Sequence, residues 1–416
     1  HGREEAFREL HPADPAYYDG AVVIDLSRIE PMIALPFHPS NAYTIREVID
    51  NASDILNEVE KAGNALKGAD AKPYRLLERI KDGKIYVSQG VIAGCAGGSY
   101  ENVAEAAEIM RGKNCGNGEF MLNVYPQSQP VYKCLVDNGY ASALMGAGAI
   151  LKTAFCGPCF GAGDTPADNG ISIRHTTRNF ENREGSKLGE GQLAAVALMD
   201  ARSIAATAAN GGVLTPATEV EYSKKIKKYF FDGGIYEHRV YHGAGKPQPR
   251  TELIYGNNIA DWPEQLPLAD NLLIKVVSVI NDPVTTTDEL IPSGETSSYR
   301  SNPLRLAEFA LSRKDPAYVG RAKEVKAAEA DRRQSGALCG EILQEVGLNL
   351  APDVMLGSAV VARKPGDGSA REQAASCQRV LGGVANIALE YATKRYRSNL
   401  INWGMLPLVC KEFDYQ

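Results

Sequence analysis

Short apolar runs alternate with amphipathic stretches through the first half of the chain. Runs that are apolar at nearly every position are typical of strands buried on both faces of a sheet. We expect strands or strand-like runs at 21–26, 84–87, 91–94, 119–124, 149–155 and 170–175.

Helical spacing of apolar residues lies between several of these runs. Ser99 is a candidate N-cap for a helix that continues to about Arg111, and a second helix is expected from Pro130 to Asp137. The alanine-rich segment 191–209 is predicted to be one long helix. Strands that alternate with helices predict an α/β fold with a mostly parallel sheet flanked by helices.

The pattern changes near residue 216, where prolines, glycines and charges become frequent, and apolar runs resume at Asn271. We therefore predict a first domain at 1–215, an extended linker at 216–270 and a second domain at 271–416. In the second domain we expect strands at 271–277, 359–362 and 384–389, a helix after Ser369, and a helix from Tyr391 to about Leu400.

Composition narrows the class of protein. The chain has 416 residues, of which 44% are hydrophobic and 23% charged, as in a globular protein. Its net charge of −6 argues against general nucleic-acid binding.

The chain has no apolar run long enough to cross a bilayer and no signal-peptide core, so we expect no membrane association. Eight cysteines in a chain of this length do not suggest a disulfide framework, and we expect a reducing, cytoplasmic setting. Because His1 is not an initiator Met, we expect a processed chain or part of a longer parent.

Three cysteines have a spacing that suggests metal ligation. Cys95 follows the run 91–94, and Cys156 and Cys159 form a Cys-x-x-Cys pair after the run 149–155. Because ligands bind beyond the carboxyl ends of parallel strands, we expect both motifs at one rim of the sheet. Three thiolates on a four-iron cluster would leave one iron open for chemistry.

The Cys-x-x-Cys spacing also has other interpretations. It fits a thioredoxin-like redox pair, half of a zinc ribbon, or two buried small residues. Pro158 and the glycines at 161 and 163 favour a loop over a redox helix, and no second close pair completes a zinc ribbon. The remaining cysteines stand alone and are expected to be buried or incidental thiols: Cys115, Cys134, Cys339, Cys377 and Cys410.

Two arginines, Arg178 and Arg183, flank a loop-like stretch downstream of the paired cysteines. A guanidinium group binds a carboxylate in a bidentate way, and a di- or tricarboxylic acid needs several such groups. Surface ion pairing with Glu181 and Glu184 is the alternative interpretation.

The second half contains two polar segments that could bind an anion. Ser369 and Arg371 precede a predicted helix, whose first backbone N–H groups would attract negative charge. By itself, Ser369 is only an N-cap. The other segment, 285–294, is followed by Arg300 and by itself is a polar loop.

Taken together, these segments resemble the aconitase superfamily of iron–sulfur hydro-lyases, which includes homoaconitase and isopropylmalate isomerase. The resemblance runs through most of the chain. It rests on residues 18–31, Gly94-Cys95 with 99–102, Cys156-Gly157-Pro158-Cys159, Arg178-Asn179-Phe180 with Arg183, Thr286-Thr287-Asp288 with Arg300, 368–372, and 399–408.

The resemblance implies a cluster-binding domain like the family's third domain, followed by a swivelling β/β/α domain like its fourth. It implies that Cys95, Cys156 and Cys159 hold a [4Fe–4S] cluster. It further implies a substrate pocket for a small hydroxy di- or tricarboxylic acid. The implied pocket residues are Arg178, Arg183, Arg300, Ser369 and Arg371. The implied activity is that of a lyase that adds or removes water.

Several positions depart from the family pattern. The family's usual serine base falls on Ala370, which cannot accept a proton, and Thr177 stands where an asparagine commonly precedes the arginine. The N-terminal aconitase-type domains are not recognisable, so we expect them as a partner, in the same parent chain or in a separate subunit. The alternative is a non-catalytic carboxylate-binding or iron-sensing homologue. A thiol oxidoreductase that uses Cys156 and Cys159 is a third hypothesis.

Overall fold

The computed structural model describes residues 11–67, 71–180, 191–239, 243, 245–292, 296–335, 354–368 and 372–411. The chain divides into two compact units, with the boundary between His238 and Arg239. No helix in the described part is long and apolar enough to cross a membrane. The predicted linker at 216–270 stays a prediction.

A seven-stranded sheet forms the centre of the first unit, in the order β2-β1-β9-β8-β5-β6-β7. The strands β5 to β9 run parallel, whereas β1 is antiparallel to both β2 and β9. Strands β3 and β4 form a separate two-stranded hairpin that is not part of this sheet. Their bounds are β1 Met32–Ala34, β2 Ala42–Thr44, β3 Ile80–Lys81, β4 Lys84–Ile85, β5 Gln89–Ile92, β6 Met121–Val124, β7 Ile150–Leu151, β8 Gly170–His175 and β9 Ala194–Met199.

Helices flank this sheet, and their starts follow from local capping. The Ser99 hydroxyl accepts the Asn102 N–H at the start of the predicted helix after residue 99, and Ser128 caps the next predicted helix in the same way. The helices are Ile45–Asp50, Ala52–Leu66, Gly94–Gly97, Tyr100–Met110, Gln129–Asp137, Tyr140–Gly146, Gly157–Phe160, Ala201–Ala209 and Gly234–Glu237. Short 3-10 turns lie at Leu26–Arg28, Leu76–Arg79 and Ala217–Glu219.

The long helix predicted at 191–209 is wrong over its first half. Residues 194–199 form β9, and the helix begins only at Ala201. Strand β9 lies between β1 and β8, and almost all of its side chains are buried on both faces of the sheet. The segment therefore has no polar face to present as a surface helix. The Asp200 carboxylate then accepts the Arg202 and Ser203 N–H groups and starts the helix.

The buried strand predicted at 21–26 is also wrong. Val22 and Val23 are 88% and 93% exposed, and the segment leads into the 3-10 turn Leu26–Arg28. No strand of the described chain pairs with it. The strand predicted at 149–155 is shorter than expected and ends at Leu151.

The second unit contains a four-stranded parallel sheet in the order β10-β12-β14-β15 and a two-stranded parallel pair, β11-β13. The strands are β10 Asn271–Ile280, β11 Thr285–Thr286, β12 Val354–Ala362, β13 Pro365–Asp367, β14 Gly383–Ala388 and β15 Leu406–Val409. The helices are Thr287–Leu290, Pro303–Ala307, Tyr318–Ser335, Gln373–Val380 and Lys394–Asn402, with a 3-10 turn at Ser297–Tyr299. The predicted α/β class with mostly parallel strands is therefore confirmed.

Candidate functional site

The parallel strands of the first unit bring the two cysteine motifs to one edge of its sheet. From β5 the chain moves outward through β6 to β7, and then returns to the other side of β5 to form β8. This reversal is a topological switch point, where adjacent loops diverge and leave a crevice at the carboxyl ends. Cys95 follows β5 and Arg178 follows β8, so these two residues come from the two strands that flank the switch point.

Two positions in the segment that carries Cys95 require glycine. Gly94 has a φ of 70°, in the left-handed region that favours glycine. A Cβ on Gly97 would lie 2.3 Å from the His175 carbonyl oxygen, so only glycine fits without a shift. The Asn102 side-chain amide donates to the Ala96 carbonyl at 3.0 Å and ties the loop to the following helix. Cys95 itself stays exposed.

Cys156 and Cys159 lie at the two ends of one helical turn. Cys156 directly precedes the helix Gly157–Phe160 and is an exposed residue, whereas Cys159 is buried. The Cys159 Sγ lies 3.3 Å from the Thr177 Oγ1, within hydrogen-bond distance. This contact joins the cysteine turn to the segment that carries Arg178.

The pKa of the Cys156 thiol depends on the side chains of Cys159, Cys95 and Arg178. Although Cys156 is exposed as a whole residue, partial burial of its sulfur raises the thiol pKa. The neighbouring Cys159 and Cys95 thiols raise this pKa further, and the Arg178 guanidinium lowers it. All three cysteines and the first arginine of the sequence motif therefore belong to one electrostatic neighbourhood.

Arg178 is half-buried and is held between two anchored neighbours. Thr177 contacts Cys159 on one side, as described above. On the other side Asn179 is 1% exposed. Its amide donates to the carbonyls of Ala34 and Leu35, at 3.2 and 2.7 Å. The backbone at Arg178 is thus fixed to both the cysteine turn and the end of β1.

Sequence reasoning missed a polar network beneath the cysteine turn. The side chain of Arg174, on β8, is fully buried and donates to the carbonyls of Pro158 and Asp164 at 3.1 and 2.8 Å. The Asp164 carboxylate accepts from Lys152 at 2.6 Å and also from Asn123 and Tyr125. These residues are scattered over about fifty positions, so no spacing in the sequence could reveal them.

Among the residues that the structure describes, no group of three or more His, Cys, Asp or Glu side chains could hold a metal ion. The buried Thr176 hydroxyl, between β8 and Arg178, has no hydrogen-bond partner in that part of the chain. Buried polar groups normally have hydrogen-bond partners, so this hydroxyl, two residues before Arg178, suggests a water or ligand that would complete it.

His175 is a second polar residue at this edge that the sequence analysis did not use. Its Nδ1 accepts the Ala201 N–H at 3.1 Å, which requires an unprotonated Nδ1. Burial lowers the pKa of His175, although the Asp200 carboxylate opposes this effect. The imidazole is therefore held neutral at the start of the helix Ala201–Ala209.

We expect this histidine to make stability depend on pH. The folded pKa of His175 is lowered, so the unfolded state takes up the proton first. The stability that depends on neutral His175 is fully present above the unfolded pKa and is lost as the pH falls from there through the folded pKa. The variant His175→Asn keeps an acceptor near the Nδ1 position without a titrating ring. Urea unfolding of the metal-free protein at pH 8 and pH 5 should show a smaller loss of stability in the variant than in the wild type. An equal loss in both would contradict the assignment.

In the second unit, the structure brings two of the sequence motifs side by side. Strand β11 pairs in parallel with β13, so that Thr286 lies opposite Asp367. Thr286 and Glu289 form a capping box at the start of the helix Thr287–Leu290. Asp288 is paired with Arg313 at 2.8 Å, so its carboxylate is occupied within the unit. Because β11 and β13 run parallel, the segments that follow them in the chain leave from the same edge of this strand pair.

The predicted pocket residues of the second unit are only partly described. Arg300 follows the 3-10 turn Ser297–Tyr299 and is exposed. Ser369, Ala370 and Arg371 lie outside the described residues, as does Arg183 in the first unit.

Comparison with known proteins supports the resemblance found from the motifs. A model of the aconitase family (aconitate hydratase) matches residues 2–206, and a model of the aconitase C-terminal domain matches residues 356–413. A 3-isopropylmalate dehydratase large subunit of Rubrobacter xylanophilus is 31% identical over 217 residues, which are 51% of this chain and 42% of that protein. The large subunit of Moorella thermoacetica is 29% identical over 222 residues, 53% of this chain and 43% of that protein.

The chain spans less than half the length of these curated relatives. The two matched models nevertheless lie one in each structural unit, in chain order. The described motif residues Cys95, Cys156, Cys159 and Arg178 lie within the first match and follow the carboxyl ends of parallel strands. The motifs, the α/β fold and both family matches agree: this chain belongs to the aconitase superfamily.

Proposed function

We propose that the chain is the cluster-binding and C-terminal portion of an aconitase-type hydro-lyase. Its substrate would be a small hydroxy di- or tricarboxylic acid. The observation that carries this proposal is the grouping of Cys95, Cys156, Cys159 and Arg178 at the switch-point crevice of the first unit. Curated relatives named 3-isopropylmalate dehydratase support the reaction class.

Cys95, Cys156 and Cys159 would hold a [4Fe–4S] cluster. In such a cluster each cysteine binds a different iron, so the thiols need not meet at the single point that one metal ion requires. The donor set therefore fits a cluster better than an isolated ion. When bound, the cluster would supply a Lewis acid at its open iron. The unpartnered Thr176 hydroxyl is consistent with a polar ligand at this crevice.

The chain's own arginines would bind and orient the substrate carboxylates. The surroundings of Arg178 are the best described of this set. Thr177 and Asn179 anchor the backbone on both sides of it, so the base of its side chain starts from a fixed position at this edge. Arg183, Arg300 and Arg371, with Ser369 as a polar contact, complete the proposed set. Neutralising the carboxylates would favour loss of a proton from the adjacent carbon.

A non-catalytic carboxylate-binding or iron-sensing role is the second candidate. Ala370 favours it, because the methyl group at the family's usual serine position cannot accept a proton. Calorimetry with citrate, together with a hydration assay on the full-length parent, separates the two candidates. Binding with turnover supports the hydro-lyase, and binding without turnover supports the second role.

Anaerobic reconstitution with iron and sulfide tests the cluster directly. We expect the broad visible absorbance of an iron–sulfur cluster in the wild type and its loss in Cys156→Ser, because serine replaces a thiolate ligand. Cys410→Ser is the matched control, since this free and partly buried thiol lies in the second unit and should not matter. A wild-type protein without cluster absorbance, or equal absorbance in wild type and Cys156→Ser, would refute the assignment.

We further propose that the missing N-terminal aconitase-type domains, in the same parent chain or in a separate subunit, are the partner. The exposed apolar segment supports this proposal: Val22, Val23 and Leu26 are 88%, 93% and 77% exposed, yet lie inside the family match. Turnover should appear only when those domains are supplied. A reducing, cytoplasmic location is also proposed, supported by the free thiols of the described cysteines.

A further inference from the structure

A buried carboxylate lies at the far end of the loop that begins with the cysteine turn. The Asp164 side chain is 1% exposed, five residues after Cys159. Its φ is 51°, in the left-handed region that few residues other than glycine adopt. A conformation of this kind persists only where the surroundings hold it.

Three side chains from neighbouring strands hold this carboxylate. The Asn123 amide donates to it at 2.5 Å from β6, Tyr125 donates its hydroxyl from the loop after β6, and Lys152 forms an ion pair at 2.6 Å from the loop after β7. Because the Asp164 carboxylate is buried, these charge-assisted bonds are stronger than they would be in water. Asp164 therefore ties its loop to two strand ends at once.

The backbone of the same loop is also held by a residue of β8, which lies across β5 from β6 and β7 in the strand order. The Arg174 guanidinium donates to the carbonyl of Pro158, between the two cysteines of the pair, and to the carbonyl of Asp164 itself. Arg174 thus holds the loop both at the cysteine turn and at Asp164. If Asp164 moved, Arg174 would lose its bond to the Asp164 carbonyl, and its bond to the Pro158 carbonyl at the cysteine turn would weaken as well.

We propose that Asp164 is a positioning residue that holds Cys156 and Cys159 in the geometry of cluster ligands. This inference rests on the proposed function of the cysteines and concerns how firmly the cluster is retained. Asp164 touches neither thiol in the contacts described here, and it acts through the loop. Outer residues that orient metal ligands typically change metal retention by about 10- to 100-fold when they are replaced.

The test measures iron release from the reconstituted protein. Asp164→Asn keeps the shape of the side chain but removes its charge, so we expect cluster absorbance to decay about 10- to 100-fold faster in the presence of a chelator. The matched control is Asp168→Asn, which breaks the exposed ion pair with Lys72 at 2.7 Å and should leave the decay rate within about twofold of the wild type.

A second readout separates positioning from general destabilisation. The urea midpoint of the metal-free variants should change much less than the decay rate, and amide exchange in 156–164 should quicken in Asp164→Asn. Lys152→Met, at a side chain that is 37% exposed, provides a second variant if Asp164→Asn does not fold, and it should also speed the decay. A wild-type decay rate in the variant that folds would overturn the positioning role. Absence of a cluster in the wild type would instead overturn the proposed function, and the inference with it.

Discussion

Replacing Arg174 with methionine should lower the free energy of unfolding of the first unit by about 3–5 kcal/mol. The guanidinium is fully buried, and its removal leaves the carbonyls of Pro158 and Asp164 without this donor. A buried acceptor left unsatisfied costs about 1–3 kcal/mol, and bonds to a charged donor lie at the upper end of the range. Methionine fills much of the volume but cannot donate.

Urea unfolding followed by circular dichroism, with amide exchange of β5 and β8, would measure this effect. Arg75→Met is the control, because Arg75 forms a largely exposed ion pair with Glu78 at 3.1 Å. Such pairs contribute about 0–1 kcal/mol. If Arg174→Met were no more destabilising than this control, Arg174 would not be the structural centre of the loop network.

Tyr396→Ala should destabilise the second unit by about 3–5 kcal/mol, the usual cost of emptying a large aromatic site. Tyr396 is fully buried, and a Cβ on Gly366 would lie 2.4 Å from its ring, so the site is tightly packed. Its hydroxyl accepts from Gln378 at 3.0 Å and donates to Asn386 at 3.1 Å. Tyr396→Phe removes only these bonds and should cost about 1 kcal/mol.

Tryptophan fluorescence reports this unfolding selectively. The chain has two tryptophans, Trp262 and Trp403, both in the second unit, with ring centroids 4.6 Å apart. Tyr255→Ala, at a side chain that is 48% exposed, is the control and should change stability by less than about 0.5 kcal/mol. Comparable midpoints for Tyr396→Ala and this control would show that the buried site is not important for stability.

The sequence predicted those elements whose local signals agree with the fold. The strand at 170–175 and the helix after Ser99 appear as expected, because continuous burial and an N-cap are both local properties. The helix Tyr318–Ser335 was missed, although its buried residues Tyr318, Ala322, Val325 and Glu329 recur with helical spacing. The many charges of this helix, Glu329 among them, concealed that narrow buried stripe.

Local signals failed where tertiary context decides the outcome. The alanines of 194–197 favour a helix in isolation, but burial on both faces makes them a strand. The run at 21–26 favours a strand, but a strand needs a neighbour, and none lies beside it in the described chain. Whether such a run forms a strand depends on a neighbouring strand to pair with, and this is not a local property of the sequence.

By itself, the sequence determined the fold class, the aconitase resemblance and the identity of the cysteine and arginine motifs, because each depends on residue type and order. The sequence also predicted that Cys95 and Cys156 share one rim of the sheet. Only the tertiary structure showed that this rim is a switch point between β5 and β8, because strand order is a property of the fold in space. Only the tertiary structure showed that the Asp164 carboxylate accepts from Lys152, Asn123 and Tyr125. Contacts between residues of separate elements produce no regular spacing in the sequence from which they could be predicted.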